Sequence, residues 1–107
     1  MKLNEYQNDA VRLAFFPGDG LVYCALGITG EAGEYADHIK KMIRDDGGIL
    51  TPERRELLIK ELGDVMWYIA NAAKALDVNL ETVAKINIDK LQDRKKRDVQ
   101  QGSGDNR

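Results

Sequence analysis

The sequence predicts an all-α chain, folded as an antiparallel bundle of four helices. Three observations carry this. Prolines occur only at Pro17 and Pro52. Between the breaks, apolar residues recur every three or four positions, and few stretches alternate as strands do. The breaks are short, which makes successive helices antiparallel neighbours.

The first helix is expected over Asn4 to Phe15, with Tyr6, Ala10, Leu13 and Ala14 on one face. "FPGDG", Phe16 to Gly20, then turns the chain. The second helix is expected over Leu21 to Arg44, on a spine of Leu21, Ala25, Ile28, Ala32, Ala36, Ile39 and Ile43. "DDGG", Asp45 to Gly48, ends it, and lacks the spaced acids of a calcium loop. For the third helix, Thr51 suits the N-cap, Pro52 the first turn, and Glu53 the positive end of the helix dipole. Its spine is Leu58, Leu62, Val65, Ile69, Ala72, Ala73 and Leu76. Asp77 and Val78 close it, and Asn79 caps a fourth helix that runs to about Arg97. One helical domain, residues 1–101, is expected, with 102–107 as a flexible polar tail. Gly27, Gly30, Gly33 and Gly63 fall inside helices, where each costs up to about 1 kcal/mol against alanine. They either admit a close helix approach or let the second helix bend.

Composition narrows the function. The 107 residues suit one domain with a real core, and 32% charged against 43% hydrophobic is a soluble balance. A net charge of -2 argues against a nucleic-acid partner. No apolar run approaches a membrane span. The single cysteine, Cys24, allows no internal disulfide, fits a reducing cytoplasm, and reads as a packed thiol among apolar neighbours.

A carboxylate pattern occurs twice. "EAGE" spans Glu31 to Glu34, and "ELGD" spans Glu61 to Asp64, thirty positions later. On a helix, residues three apart lie about 60° from each other. Each pair therefore sits on one stripe beside its apolar spine. If the two helices pack together, four carboxylates converge and repel. Lys41 and Lys60 are too few and too far out to neutralise them. A divalent cation answers the repulsion better, and oxygen-only ligands suit Mg2+ or Mn2+. The plainer alternative is a solvated acidic face.

Other side chains border this stripe. His38 follows Glu34 by four and is a metal ligand, a substrate contact, a residue supporting the ligands from behind, or a surface residue. Tyr68 follows Asp64 by four; with Trp67 it reads as core or as a stacking surface for a flat ligand. On the fourth helix Asn87 interrupts the face of Leu80, Ala84, Ile88 and Leu91, with Lys90 and Arg94 along its edge. These cations either pair with the acids or bind phosphate oxygens.

"GEAGEYADHIKK", "KELGDVMWYIA", "NIDKLQDRKKR", the closing "GSGDNR" and the opening "LNEYQNDAVRLA" together resemble the MazG-like nucleotide pyrophosphohydrolases. The likeness covers nearly the whole chain, in the expected order. It implies a helical bundle completed by oligomerisation, as a homodimer or homotetramer. It implies Mg2+-dependent hydrolysis of a nucleoside triphosphate to the monophosphate and pyrophosphate, clearing non-standard or surplus nucleotides.

Under that resemblance Glu31, Glu34, Glu61 and Asp64 hold the metal, and Glu31 or Glu34 takes the water's proton. Lys90 and Arg94 stabilise the leaving pyrophosphate, and Asn87 lies near the nucleotide. Tyr68 stands beside the base. Gln7 lines the pocket, and His38 and Lys41 are further substrate contacts. One departure is that Gly30 stands where many members have the first acid of E-E-x-x-E. Two rivals remain: a non-catalytic helical interaction module, and a carboxylate-bridged di-metal bundle. The second expects E-x-x-H pairs, but His38 is the only histidine.

Overall fold

A computed structural model describes all 107 residues. It contains four helices and no strand: α1 Leu3–Arg12, α2 Gly20–Asp45, α3 Pro52–Ala75 and α4 Leu80–Lys96. The expected caps are in place. Thr51 Oγ1 accepts from the Arg54 N–H at 3.1 Å, and Asn79 Oδ1 accepts from the Thr82 N–H at 2.9 Å. Asp19, unassigned in the sequence, caps α2 by accepting from the Leu21 N–H at 2.9 Å.

α1 stops at Arg12, three residues before the expected Phe15. Pro17 disfavours helical backbone at Phe16. Phe16 instead turns inward and stacks on Tyr23 (ring centroids 5.0 Å apart, planes 10° apart), while Phe15 is wholly exposed. α3 and α4 each end in a Schellman motif. Val78 N–H bonds Ala73 C=O at 3.0 Å and Asp77 N–H bonds Lys74 C=O at 2.9 Å; Val99 and Asp98 repeat this on Arg94 and Lys95. Asp77 and Asp98 take the left-handed position of these turns, with φ of 57° and 58°.

α2 and α3 form the principal antiparallel pair. Gly27 is the glycine that admits close approach, because a Cβ there would overlap the Tyr68 ring. Gly30, Gly33 and Gly63 meet nothing and face open space. α1 packs on α3 and α4, and α4 has no contact with α2. Gln7 and Asn71, both buried, fasten this joint. The Gln7 amide donates to the carbonyls of Ala70 (3.3 Å) and Val78 (3.1 Å) and accepts from the Leu80 N–H (2.9 Å). Asn71 donates to the carbonyls of Trp67 and Ala10.

The expected apolar spines are only partly covered. Cys24 is buried, as a packed thiol should be, but Leu21, Ala25, Ala32, Ala36 and Ile43 are exposed. On α3, Leu58, Ala70 and Ala73 are buried while Leu62 and Leu76 are exposed. The reason is that α2 has only α3 beside it. The radius of gyration is 16.6 Å, against about 13 Å for a compact chain of this length. Only 9 of 107 residues are buried, so one chain leaves much of its apolar surface open.

The closing segment, expected to be flexible, folds back on α4. Arg107 donates to the carbonyls of Gln100 (2.8 Å) and Gly104 (2.7 Å), and Arg97 donates to the Arg107 carbonyl.

Asp77 combines a left-handed backbone with a negative charge at the negative end of α3. Asp77→Gly relieves both, and should stabilise the chain by roughly 0.5–1 kcal/mol in urea unfolding.

Candidate functional site

The α2–α3 contact brings the two acidic pairs together. One carboxylate oxygen each from Glu31, Glu61 and Asp64 lie within 4.8 Å of one another. Glu34, one turn further along α2, is exposed and outside this set. Its charge still reaches Glu31.

The three acids differ in their surroundings. Glu31 and Glu61 are half-buried and Asp64 is exposed; the Glu61 side chain is 16% exposed, and its Oε2 is buried without a hydrogen-bond partner. A buried carboxylate oxygen left unpaired costs about 1–3 kcal/mol or more. Burial raises the Glu31 carboxyl above its ordinary range; a hydrogen bond with Glu61 and the charges of Asp64, Glu61 and Glu34 push the same way. Asp64 also raises the Tyr6 phenol, after burial, so α1 borders the site.

No Lys or Arg neutralises this cluster. Among the ion pairs, none includes Glu31, Glu34 or Asp64, and Glu61 has only His38, its Nε2 at 3.4 Å. The nearby cations are taken up elsewhere. Lys41 pairs with Asp37 at 2.8 Å, which with Lys40 holds that carboxyl far below its ordinary range. Lys90 pairs with Asp105 at 2.9 Å. Arg94, buried, donates to the Asp105 and Gly104 carbonyls of the tail. The salt-bridge alternative for Lys90 and Arg94 is thus met by the tail, not by the acids. Three converging carboxylate oxygens, with no lysine or arginine paired to them, fit a hard divalent cation.

Aromatic rings border the acids. Tyr68 lies on the Gly27 backbone; burial raises its phenol, and Tyr23 and Glu31 add to this. Trp67 meets Tyr68 edge-on at 5.0 Å.

The structure therefore assembles Glu31, Glu61, Asp64, His38 and Tyr68. It leaves Asn87, Lys90 and Arg94 on α4, out of contact with α2, and Lys41 on its own ion pair. Gln7 serves the helix joint. It also edges an opening of about 470 Å3 shared with Arg12 and Lys74, which includes none of the acids. Sequence reasoning missed Arg54, which touches His38 from the first turn of α3. Only its position one turn past the Thr51 cap hinted at a fixed orientation.

The protein-family model for the MazG nucleotide pyrophosphohydrolase domain matches residues 23–99, which hold all three converging acids and all of α4. "Gene 37 protein" of Mycobacterium phage L5 is 50% identical over 114 residues, covering 100% of both chains. No solved structure matches.

The raised Glu31 carboxyl sets a pH dependence. Its folded form holds the proton more tightly than the unfolded chain, whose carboxyl keeps the ordinary value of 4.5. Above that value the folded state carries the extra proton, so stability falls as pH rises toward the raised pKa. The chelated protein should unfold at lower urea near about pH 7 than near about pH 5. Glu31→Gln should flatten that slope.

Proposed function

Because the chain belongs to the MazG nucleotide pyrophosphohydrolase family, we propose that it hydrolyses a nucleoside triphosphate to the monophosphate and pyrophosphate, with Mg2+. The observation that carries this reading is the meeting of Glu31, Glu61 and Asp64 around an unpartnered carboxylate oxygen. These three residues would hold the cation. When bound, a divalent ion there neutralises triphosphate charge and makes water more acidic.

The remaining roles belong to the chain itself. Glu34, exposed and outside the three-acid set, is free to accept the proton of the attacking water. Tyr68, fixed against Gly27, offers a flat face to the base. Lys90 and Arg94 supply positive charge for the phosphates, with Asn87 one turn before Lys90. His38 and Lys41 border the acidic stripe as further substrate contacts.

One chain does not place α4 against α2. The phosphate role of Lys90 and Arg94 therefore calls for a second copy, whose α4 covers the acids. The open apolar surface supports this. Leu26 is 69% exposed and Leu62 53% on the α2–α3 pair, and Ile88 is 50% exposed on α4. Burying each would stabilise an assembly by about 1–2 kcal/mol. We assign the protein as a homodimer or homotetramer acting in the cytoplasm on non-standard or surplus nucleotides. No helix is long and apolar enough to cross a membrane.

A panel of nucleoside triphosphates, scored for pyrophosphate with and without Mg2+, tests the activity. Release is expected only with the metal. Glu61→Ala and Asp64→Ala should lower it roughly a hundredfold or more while keeping helical content, since a bound metal contributes several kcal/mol. Release that is metal-independent, or unchanged in both variants, removes this reading. Light scattering should give a multiple of the 12.0 kDa chain mass. A stable monomer would remove the shared site.

A further inference from the structure

Glu61 is held from behind by residues that do not belong to the acid cluster. His38 Nε2 lies 3.4 Å from Glu61 Oε1. On the other side of the ring, Arg54 Nη1 lies 3.3 Å from His38 Nδ1. Arg54 Nε in turn donates to Asp46 Oδ2 at 2.9 Å. All four side chains are at least four-fifths buried, between 14% and 18% exposed.

This order fixes the tautomer of the ring. A guanidinium has only donors, so the nitrogen facing it must accept. With Nδ1 as acceptor, the ring hydrogen sits on Nε2, the nitrogen 3.4 Å from Glu61 Oε1. Oε1 thus faces the ring, and the buried oxygen left without a partner is Oε2. Arg54 is itself fixed at both ends. Its backbone N–H is capped by Thr51, and its guanidinium is tied to Asp46 at the C-cap of α2. The glycine turn from Asp46 to Thr51, with Gly47 and Gly48 at φ of 66° and 74°, brings the two ends together.

We propose that Asp46, Arg54 and His38 are positioning residues, a relay across the α2–α3 turn that fixes the Glu61 carboxylate so that Oε2 is presented to the cation. The inference rests on the acids being a metal site. It assigns to the "DDGG" turn a part in metal affinity, and makes His38 a donor to a carboxylate rather than a ligand. Outer groups of this kind change metal affinity by about 10–100-fold when removed.

The test is Mn2+ binding by titration calorimetry to the chelator-treated full chain, with the melting temperature of the metal-free protein recorded alongside. Wild type should bind and Glu61→Gln should not. Arg54→Ala and Asp46→Ala should weaken binding about tenfold or more. Arg54→Lys keeps the charge and serves if Arg54→Ala does not fold; one ammonium cannot span Asp46 and His38, so it should weaken binding similarly. His38→Ala should lose affinity, and His38→Gln, whose amide can still donate to Glu61, should recover most of it.

If wild type binds Mn2+ and Arg54→Lys and Asp46→Ala bind within about twofold of it, the relay is overturned and the metal site stands. Loss of affinity that only tracks a fall in the metal-free melting temperature also overturns it. If wild type binds no Mn2+, the metal site itself fails and the relay goes with it.

Discussion

The central constraint is the repulsion between carboxylates that α2 and α3 bring into contact. Glu31, Glu61 and Asp64 share one side of the principal helix pair, with oxygens within 4.8 Å. Such a cluster opposes folding unless protons or a cation neutralise it. The surrounding structure makes the approach unavoidable. Gly27 lets Tyr68 lie on the α2 backbone at one end, and Asp46 ties Arg54 at the other. The acids lie between these two fixed points. They cannot separate without opening the helix pair.

α1 and the start of α4 depend on a different kind of contact. Their joint is built from amides: Gln7 and Asn71 satisfy buried backbone groups on four segments, and Asn4 accepts from the Glu81 N–H at 3.0 Å. Amide contacts demand geometry in a way apolar contacts do not. The joint therefore sets the direction in which α4 leaves, and that direction carries it away from α2. Lys90 and Arg94 travel with it and are occupied by the tail.

The sequence made the helices legible where local chemistry decides. Thr51, Pro52 and Asn79 act within one turn of themselves, so residue type and spacing suffice. The doubled acidic pattern was legible because helical period places each pair on one stripe. What could not be read was the partner of each face. Leu62 and Leu21 look like core by period but are exposed, since period does not say whether a helix lies opposite. Gln7 looked like a pocket residue because its motif says nothing about which carbonyls it meets. Arg54 was invisible for the same reason: its two partners lie sixteen and eight residues away, across a glycine turn. Glu34 matched the pattern as well as Glu31 did. What separates them is how α2 lies on α3, which brings Glu31 to Glu61 and Asp64 and leaves Glu34 exposed.

The distribution of positive charge decides what the acids can be for. Had Lys41, Arg54, Lys90 or Arg94 closed onto them, the cluster would be an internal salt-bridge network with no ligand required. Each of those cations is instead held by an acid outside the cluster: Lys41 by Asp37, Arg54 by Asp46, and Lys90 and Arg94 by Asp105. The one nitrogen that reaches the cluster is a histidine whose other face is set against an arginine. The ring therefore stands between Arg54 and Glu61. A partly buried, negatively charged site deprived of its own counterions binds a cation more strongly than a fully exposed acidic face, because less of the attraction is lost to solvent. The same arrangement leaves Lys90 and Arg94 on a separate helix, out of contact with α2, where they do not compete for the acids.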